Sequence, residues 1–145
     1  MKTIELGFKG YYREVNKDSI ASVSGVYCVY SCVYNKEEKN VTIKKLLYIG
    51  ESNNVHDRIA NHDRLDDWLD SLNSGQTLCY SYAKASSDDR ERAEAALIFE
   101  KQPLFNTEHK DLFIYEDTEV KTSGKNKFLP AEFTVRKGAR SKIAR

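Results

Sequence analysis

Two runs of apolar, aromatic and small residues predict a pair of β-strands in the first third of the chain. The first run, GVYCVYSCVY, covers residues 25–34, and the second, VTIKKLLYI, covers residues 41–49. The polar segment NKEEKN at 35–40 predicts the loop of a hairpin between them. Apolar side chains occur on both faces of these strands, so we expect a sheet that is covered on both sides.

After the hairpin, the apolar period changes to that of a helix, which the pattern predicts over residues 53–73. The apolar stripe of this helix consists of Val55, Ile59, Leu65, Leu69 and Leu72. Gly75 follows as a stop signal. Alternating apolar residues between 76 and 85 then predict a third strand.

The second half of the chain carries one more predicted helix and few other clear patterns. Ser86 or Ser87 can cap this helix, which runs through RERAEAALIFEK and ends before Pro103. A short strand is predicted over 112–115, and the residues beyond it are predicted to be irregular and basic. Residues 1–20 have a mixed pattern that predicts no particular element.

Three polar or charged side chains fall on the apolar faces of the predicted helices. At 100° per residue, Arg58 and His62 lie within the apolar arc of the first helix. Glu94 lies between the directions of Leu97 and Ile98 on the second. A buried charge needs a partner, because removing one member of a buried ion pair costs about 3–5 kcal/mol. Two interpretations stay open: a structural Arg58–Glu94 salt bridge, or an open pocket that receives an anion at Arg58.

The composition is that of a soluble domain of modest size. The chain has 145 residues, 40% of them hydrophobic and 31% charged, which fits one domain. No run approaches the roughly 18 apolar residues of a membrane span, and the N-terminus lacks the apolar segment of a secretory signal. We therefore expect a cytoplasmic protein. Cys28, Cys32 and Cys79 form no CxxC pair and are expected to be reduced, buried thiols.

The net charge of +1 is unevenly distributed along the chain. Residues 121–145 contain eight Lys or Arg against the single acid Glu132, whereas residues 1–120 carry a net charge of −6. A basic tail on an acidic body suggests a polyanionic partner such as nucleic acid. A merely solvated C-terminus would show the same imbalance, so the charge alone does not decide between the two.

The two strand tyrosines, Tyr27 and Tyr48, could share one pocket with Arg58, His62 and Glu94. Such a pocket would combine a cation ligand, an anion-binding group, a possible base and two phenols. These are the groups that metal-assisted hydrolysis of a phosphodiester uses.

The motifs at these positions resemble those of the GIY-YIG nuclease family. The first motif is present as GVY at 25–27, a conservative form, and the second is present unaltered as YIG at 48–50. Arg58 matches the arginine of the family, ten residues after the second tyrosine. His62 lies four residues further, at a position that holds tyrosine or histidine in family members. The 21-residue spacing between the motif tyrosines exceeds the usual hairpin, because of the lysine-rich loop and strand at 36–45.

A further match lies in the second predicted helix. Glu94 opens the segment EAALIFEKQPLFN, which is similar to the glutamate-helix segment of the family and closes with Asn106. The resemblance covers roughly residues 24–107 and implies an α+β fold with a small three-stranded, mostly antiparallel sheet flanked by helices. It divides the chain into an N-terminal extension at 1–23, a GIY-YIG-like nuclease domain at 24–107, and a C-terminal extension with a basic tail at 108–145.

The implied activity is that of a divalent-metal-dependent endonuclease that hydrolyses phosphodiester bonds in DNA. His62 favours a compact, restriction-like enzyme, and a structure-directed or phage-borne nuclease stays open as well. Glu94 would hold one Mg²⁺ or Mn²⁺ ion per active site, since Mg²⁺ keeps several waters and often takes one or two protein carboxylates. Arg58 would contact the scissile phosphate and offset charge in the transition state. We expect DNA as the partner and a monomer or homodimer as the assembly.

The resemblance also implies roles for the other site residues. Tyr27 would act as the general base, and His62 would accept the phenolic proton of Tyr27 and pass it on. Tyr48 would orient water or phosphate. Asn106 and Gly50 would give structural support.

No separate DNA-reading domain is visible, so DNA contacts are expected from the hairpin at 36–45, the first twenty residues and the tail. The candidate nucleic-acid-binding residues are Lys44, Lys45, Lys125, Lys127, Arg136, Lys137 and Arg140. Two other classes of protein stay open. One is a non-catalytic nucleic-acid-binding protein on the same fold, and the other is a protein-interaction subunit in which Arg58 and Glu94 are merely paired.

Overall fold

A six-stranded mixed β-sheet forms the centre of the molecule in the computed structural model, which describes residues 1–142. The strands are β1 (Lys2–Arg13), β2 (Gly25–Asn35), β3 (Asn40–Ser52), β4 (Thr77–Lys84), β5 (Thr118–Gly124) and β6 (Glu132–Val135). The helices are α1 (Val55–Ala60), α2 (Leu65–Asp70) and α3 (Arg90–Lys101), and a 3-10 segment occupies Glu14–Ser19. The strand order is β3-β2-β4-β1-β5-β6, and neighbouring strands are antiparallel except for the parallel pair β1 and β5.

The expectation of a small three-stranded sheet is wrong, because three further strands extend the predicted one. The predicted strands became β2, β3 and β4, but β1 comes from residues 1–23 and β5 and β6 come from residues 108–145. The physical reason for β1 is visible in its burial. Ile4, Leu6 and Phe8 are buried and the residues between them face solvent, which is the period of a strand with one covered face.

The sheet is covered on both faces along β2, as its two-sided apolar pattern predicts. Residues 25–32 are all buried. On one face Val26, Cys28 and Tyr30 belong to a core that also contains the apolar side of α3. On the other face Tyr27 and Val29 pack with residues of α1 and α2. The hairpin strands therefore lie between two helical layers.

The single helix predicted over 53–73 is wrong, because the chain leaves the helical conformation between α1 and α2. Asn54 caps α1 by accepting the backbone N–H of Asp57, and the helix ends at Asn61, whose backbone is no longer helical. The predicted stripe also fails at Leu69, which is 43% exposed, while Trp68 is fully buried in its place. No helix within residues 1–142 has the length and apolar character needed to cross a membrane.

The prediction of an irregular C-terminal segment is wrong for two stretches, residues 118–124 and 132–135, which form strands. β5 and β6 lie in this segment, and the strand predicted at 112–115 is reduced to one bridge between Leu112 and Arg140. Thr118, Val120 and Val135 are buried, so this part of the chain contributes to the core. Residues 143–145 of the predicted basic tail lie outside the described residues.

The cysteines are not all reduced, in contrast to the expectation from their spacing. Cys32 on β2 and Cys79 on β4 form a disulfide, with Cα atoms 6.3 Å apart, and Cys28 is a buried free thiol. Sequence spacing could not predict this pair, because β4 lies beside β2 only after the intervening helices have formed. The disulfide joins two neighbouring strands at the centre of the sheet.

Candidate active site at the open end of the β2–β3 hairpin

Tyr27 and Gly50 lie opposite each other in the ladder between β2 and β3. A Cβ atom added to Gly50 would lie 2.3 Å from both Cζ and Oη of Tyr27, which is far inside van der Waals contact. The ring of Tyr27 therefore lies directly over the backbone at position 50. This contact explains why a glycine follows Tyr48 and Ile49: it leaves room for the phenol of the facing strand.

The Tyr27 hydroxyl is hydrogen-bonded to His62 at 2.8 Å from Nε2. The other ring nitrogen, Nδ1, accepts the backbone N–H of Arg64 at 3.0 Å. A neutral imidazole has one donor and one acceptor nitrogen, so this contact assigns the ring proton to Nε2, which donates to the oxygen of Tyr27. The exposed carboxylate of Asp63 lies 3.3 Å from Nδ1 but accepts a hydrogen bond from Arg58.

The imidazole of His62 is held neutral by its surroundings. Its side chain is fully buried, and burial, followed by the charge of Arg58, lowers the pKa of His62 to about 4. His62 lies in the break between α1 and α2, where its Nδ1 accepts a backbone amide. His62 is therefore not part of a helix, and its position on a helical wheel does not apply. Its burial is nevertheless consistent with the sequence prediction that it faces the apolar side.

The phenol of Tyr27 is influenced by groups that act in opposite directions. Burial, followed by the neighbouring Tyr48, raises the pKa of Tyr27, and the more distant carboxylate of Glu94 raises it further. Arg58 lowers this pKa through its positive charge and a hydrogen bond. Arg58 is thus close enough to stabilise a phenolate at Tyr27.

Aromatic rings surround His62 on several sides. The ring centroids of His62 and Trp68 are 4.3 Å apart, and those of His62 and Tyr48 are 5.3 Å apart. Tyr48 also lies 6.3 Å from Tyr27, ring centre to ring centre. These contacts fix the orientation of the imidazole and keep water away from its faces.

Arg58 is half-exposed and does not pair with Glu94. Its side chain is 39% exposed, and its Nη2 donates to Asp63 Oδ1 at 3.0 Å. The Arg58–Glu94 salt bridge that the sequence left open is therefore absent from the described residues. Because Asp63 is itself on the surface, the guanidinium can exchange this partner for an incoming anion.

Glu94 lines a cavity of about 170 Å³ together with Tyr48, Arg64, Asn106, Glu108 and His109. Its side chain is 17% exposed, and its Oε1 lies 3.8 Å from Nε2 of His109, an ion-pair contact only when this histidine is protonated. Burial, followed by the charges of Glu51, Glu108 and Glu91, raises the pKa of Glu94 to about 8. A carboxyl group among other acids in a partly closed cavity is a site where a cation would be favourable.

The donor set around Glu94 fits a metal that needs few protein ligands. No group of three or more His, Cys, Asp or Glu side chains in the described residues has the arrangement of a metal cage. Mg²⁺ does not need one, because it keeps several waters and takes the rest of its oxygens from one or two carboxylates and a phosphate. The carboxylate of Glu94 is not paired with Arg58. This carboxylate and the acids near it are compatible with such a site.

Asn106 is bonded to the outer edge of β3. Its Oδ1 accepts the backbone N–H of Ile49 at 2.9 Å, and its Nδ2 donates to the carbonyl of Ile49 at 2.8 Å. The backbone N–H of Phe105 donates to the carbonyl of Leu47 at 2.9 Å. The segment after α3 thus pairs with β3 on both sides of Tyr48 and fixes the strand position of this tyrosine.

Three residues of the site have no counterpart in the sequence predictions: Arg64, Trp68 and His109. Arg64 lines the cavity, donates from Nη2 to the carbonyl of Phe105 at 2.9 Å, and lies 6.0 Å from the Tyr48 ring centre. The break before α2 brings Arg64 and Trp68 to the site. The prediction of one continuous helix over 53–73 could not show this arrangement. His109 has a positive φ in a segment without periodicity, so no pattern points to it.

The seven candidate nucleic-acid-binding residues are dispersed over the molecule, and all are exposed. Lys44 and Lys45 lie on β3, and Lys125 and Lys127 lie just beyond β5. Arg136 donates to Asp117 and Lys137 to Glu116, so these two cations have acidic partners. Arg140 lies at the bridge to Leu112. The structure thus does not gather the seven residues into a single patch.

Comparisons of the chain with protein-family models, with curated proteins and with solved structures find no match in any of the three. The resemblance to GIY-YIG nucleases therefore stays a prediction from the motifs.

Proposed function

We propose that the protein is a divalent-metal-dependent nuclease that hydrolyses phosphodiester bonds in DNA at the open end of the β2–β3 hairpin. The supporting observation is the convergence of groups from four parts of the chain. Tyr27 and His62 share a 2.8 Å hydrogen bond, Arg58 acts on the phenol, and Glu94 lines a cavity beside Tyr48. A base, an anion-binding group and a cation ligand in one region of the molecule match the needs of phosphodiester hydrolysis.

In this proposal Tyr27 takes the proton of the attacking water while the water oxygen forms a bond to phosphorus and the bond to the leaving oxygen breaks. A phenol is a base only as the phenolate, whose formation burial opposes at Tyr27. The hydrogen bond donated by His62 Nε2 and the charge of Arg58 both favour the phenolate. His62 therefore serves as a donor to Tyr27 rather than as the acceptor of its proton.

Two arginines are placed to hold the substrate phosphate. Arg58 carries an exchangeable surface partner, Asp63, and Arg64 lines the cavity that contains Glu94. A guanidinium binds phosphate oxygens through paired, charge-assisted hydrogen bonds. Glu94 would hold a divalent cation, which would supply positive charge against the negative charge that develops on the phosphate.

The test compares Glu94→Gln with Glu100→Gln, a matched change at an exposed position of the same helix. Purified protein with Mg²⁺ or Mn²⁺ should nick or cut plasmid DNA. Glu94→Gln should abolish this, because the amide carries no charge to hold the cation, and Glu100→Gln should retain it. Binding of Mg²⁺, followed as an increase in melting temperature, should also be lost in Glu94→Gln alone.

Wild-type protein that binds DNA but cuts no substrate under any metal condition would instead support the non-catalytic nucleic-acid-binding alternative. Equal cleavage by wild type and Glu94→Gln would contradict the proposal. Tyr27→Phe further separates DNA cleavage from the melting-temperature shift that reports Mg²⁺ binding. It keeps the ring over Gly50 and the metal-dependent melting shift, and it should lose cleavage by ~10²–10⁴-fold, as expected for a general base.

A further inference from the structure

A second basic site lies at the turn end of the β2–β3 hairpin, far from Tyr27. It is a cavity of about 410 Å³ whose lining includes Arg13, Tyr34, Lys39 and Lys125. A neighbouring cavity of about 280 Å³ shares Tyr11 with it and adds Lys127. We call these adjoining cavities the basic groove, defined by Tyr11, Arg13, Tyr34, Lys39, Lys125 and Lys127.

The cations of the basic groove have no acidic partners among the described residues, in contrast to most other arginines of the chain. Arg13 makes no salt bridge, and its Cζ lies 3.6 Å from the ring centre of Tyr34. This stacking holds the guanidinium in place while leaving its N–H groups for an anion. Glu37 and Glu38, the acids of the nearby turn, are exposed and do not line the groove.

The backbone fixes the position of the lysines that come from the C-terminal part. Lys127 donates its N–H to the hydroxyl of Tyr11 at 3.0 Å, and its carbonyl accepts the hydroxyl of Tyr30 at 2.9 Å. The N–H of Lys125 donates to the carbonyl of Phe8 at 2.9 Å. The groove is therefore assembled from β1, the hairpin and the segment after β5, and it is not a loose tail.

β3 connects the basic groove with the candidate active site. It is an edge strand, with Tyr48 beside the active site at one end and Val41 in the groove at the other. On the neighbouring strand β2, the seven-residue step from Tyr27 to Tyr34, the partner of Val41, spans roughly 23 Å. Lys44 and Lys45 lie between the two ends, both exposed and without carboxylate partners in the described part of the chain. Together these residues form a positively charged path along one edge of the sheet.

We propose that the basic groove is a second nucleic-acid contact, which anchors the phosphate backbone of the substrate roughly 23 Å from the reacting phosphate, about seven nucleotides along one strand. The inference rests on the proposed function for its choice of ligand. Tyr34 lies on the opposite face of β2 from Tyr27, so the bound strand follows the β3 edge rather than one face of the sheet.

The test removes three charges from the groove with Arg13→Gln, Lys39→Gln and Lys125→Gln together. The matched control removes three charges with Lys2→Gln, Lys84→Gln and Lys121→Gln, which are exposed, line neither the basic groove nor the cavity of Glu94, and are not among the seven candidate nucleic-acid-binding residues. Both variants carry the same net charge. Circular dichroism and the unfolding midpoint establish that both are folded.

Binding is measured by fluorescence anisotropy with a labelled 30-bp duplex in EDTA, over a range of salt concentrations. The groove variant should bind at least ten-fold more weakly. Its slope of log K against log salt should be smaller by about two to three, since each lost phosphate contact removes about 0.9. The control should match wild type. With a 6-bp duplex, too short to reach both sites, wild type and groove variant should differ by less than two-fold.

Equal binding of the 30-bp duplex by groove variant and control would overturn the inference, and cleavage by wild type would then leave the proposed function intact. If wild-type protein cuts no DNA but still binds it more tightly than the groove variant does, this result would contradict the proposed nuclease function and support the basic groove as a nucleic-acid contact. Equal competition by inorganic tripolyphosphate and unlabelled duplex would also overturn the inference, because it would indicate a site for small anions. Dimerisation of the groove variant without loss of binding would assign these lysines to protection of the β3 edge.

Discussion

The ring of Tyr27 occupies the space that any side chain at position 50 would need. The three nearest atoms to a Cβ at this position all belong to Tyr27, and the shortest distance is 2.3 Å. Since Tyr27 is itself buried, between β3 and β4, it cannot move aside without displacing its neighbours. The glycine of the second motif is thus required by the tyrosine of the first.

Gly50→Ala should therefore displace Tyr27 and lower the free energy of unfolding by about 1–3 kcal/mol, the usual cost of overpacking a core. Cleavage of plasmid DNA should fall more steeply than stability, because the hydroxyl of Tyr27 loses its position. Gly7→Ala is the control, since the nearest atom to a Cβ there is Ser123 Oγ at 3.8 Å. Urea unfolding of both variants checks the difference. Equal stability of the two would contradict the described contact.

His62 makes stability depend on pH in a defined window. Its pKa is about 4 in the folded protein, against about 6.5 in an unfolded chain. Between these values the unfolded state binds more protons, so the free energy of unfolding falls as the pH drops through the window. The fall should amount to roughly 2–3 kcal/mol from this residue.

His62→Gln should flatten this dependence, because the amide can bond to Tyr27 and Arg64 without titrating. The measurement is urea unfolding of wild type and variant at intervals from pH 4 to pH 8. The difference between the two proteins should change below pH 6.5 and stay constant above pH 7.5. A constant difference over the whole range would show that His62 is not protected from protonation.

Several site residues could be predicted from the sequence because their residue type and their spacing are enough to identify them. Motif spacing and charges on apolar faces identify the tyrosines, Arg58 and Glu94; in the structure Tyr48 and Glu94 line one cavity, and Arg58 and Glu94 are close enough to Tyr27 to influence its pKa. Their partners could not be predicted. Asp63 rather than Glu94 binds Arg58, and this choice depends on where the chain turns after α1.

Among the elements, β3 is distinctive because side-chain and loop hydrogen bonds, rather than another strand, cover its outer edge at Leu47 and Ile49. Asn106 bonds to both backbone groups of Ile49 and so takes the place of a neighbouring strand at this point. An edge strand with unpaired backbone groups is a site for unwanted pairing. The same contact holds Tyr48 in register beside the cavity.

Asn106→Ala should lower the free energy of unfolding by about 2–4 kcal/mol, since two buried backbone groups each lose a partner at about 1–3 kcal/mol. The amide of Ile49 should exchange with solvent much faster, which hydrogen exchange by NMR measures directly. Asn126→Ala provides the control, because it removes a side-chain hydrogen bond to Thr122 elsewhere. Unchanged protection of Ile49 in Asn106→Ala would contradict this role.

Prediction of elements succeeded where one period extends over a whole segment. Residues 25–34, 41–49 and 76–85 became β2, β3 and β4, and the second predicted helix became α3. The helix predicted at 53–73 failed because its apolar spacing continues across a tertiary turn. Nothing local marks the break at 61–64, where His62 accepts the N–H of Arg64 and binds Tyr27.

At the scale of the whole molecule, the Cys32–Cys79 disulfide connects two strands that are 47 residues apart in sequence. Such a crosslink stabilises mainly by restricting the unfolded chain, typically by about 2–4 kcal/mol. Both sulfur-bearing residues are completely buried, so a reductant reaches them only when the sheet opens. The expectation of three reduced thiols and the observed crosslink make different predictions for the purified protein.

Thiol titration in denaturant without reductant should give one free thiol per chain, that of Cys28. Addition of reductant should lower the unfolding midpoint of wild type by an amount equivalent to about 2–4 kcal/mol. The double variant Cys32→Ala, Cys79→Ala should unfold at one midpoint with or without reductant. Three free thiols in untreated protein would show that the crosslink does not form.

The global arrangement was the least predictable level, because it depends on pairings between distant segments. β1 pairs with β4 on one side and with β5 on the other, and neither partner is near it in sequence. Ile4, Leu6 and Phe8 carry the alternation of a strand, but they do not indicate which strand lies beside them. A resemblance limited to residues 24–107 necessarily leaves these pairings out.

The parallel pairing of β1 with β5 has a consequence for how the protein is made. Lys2 pairs with Thr118, so β1 leaves the ribosome more than a hundred residues before the strand that pairs with it. At about 5–20 residues per second, that edge waits on the order of ten seconds. Topologies with such distant pairings also fold slowly. The yield of soluble product should therefore depend on shielding this nascent edge, and slower, cooler expression with abundant chaperones should favour it.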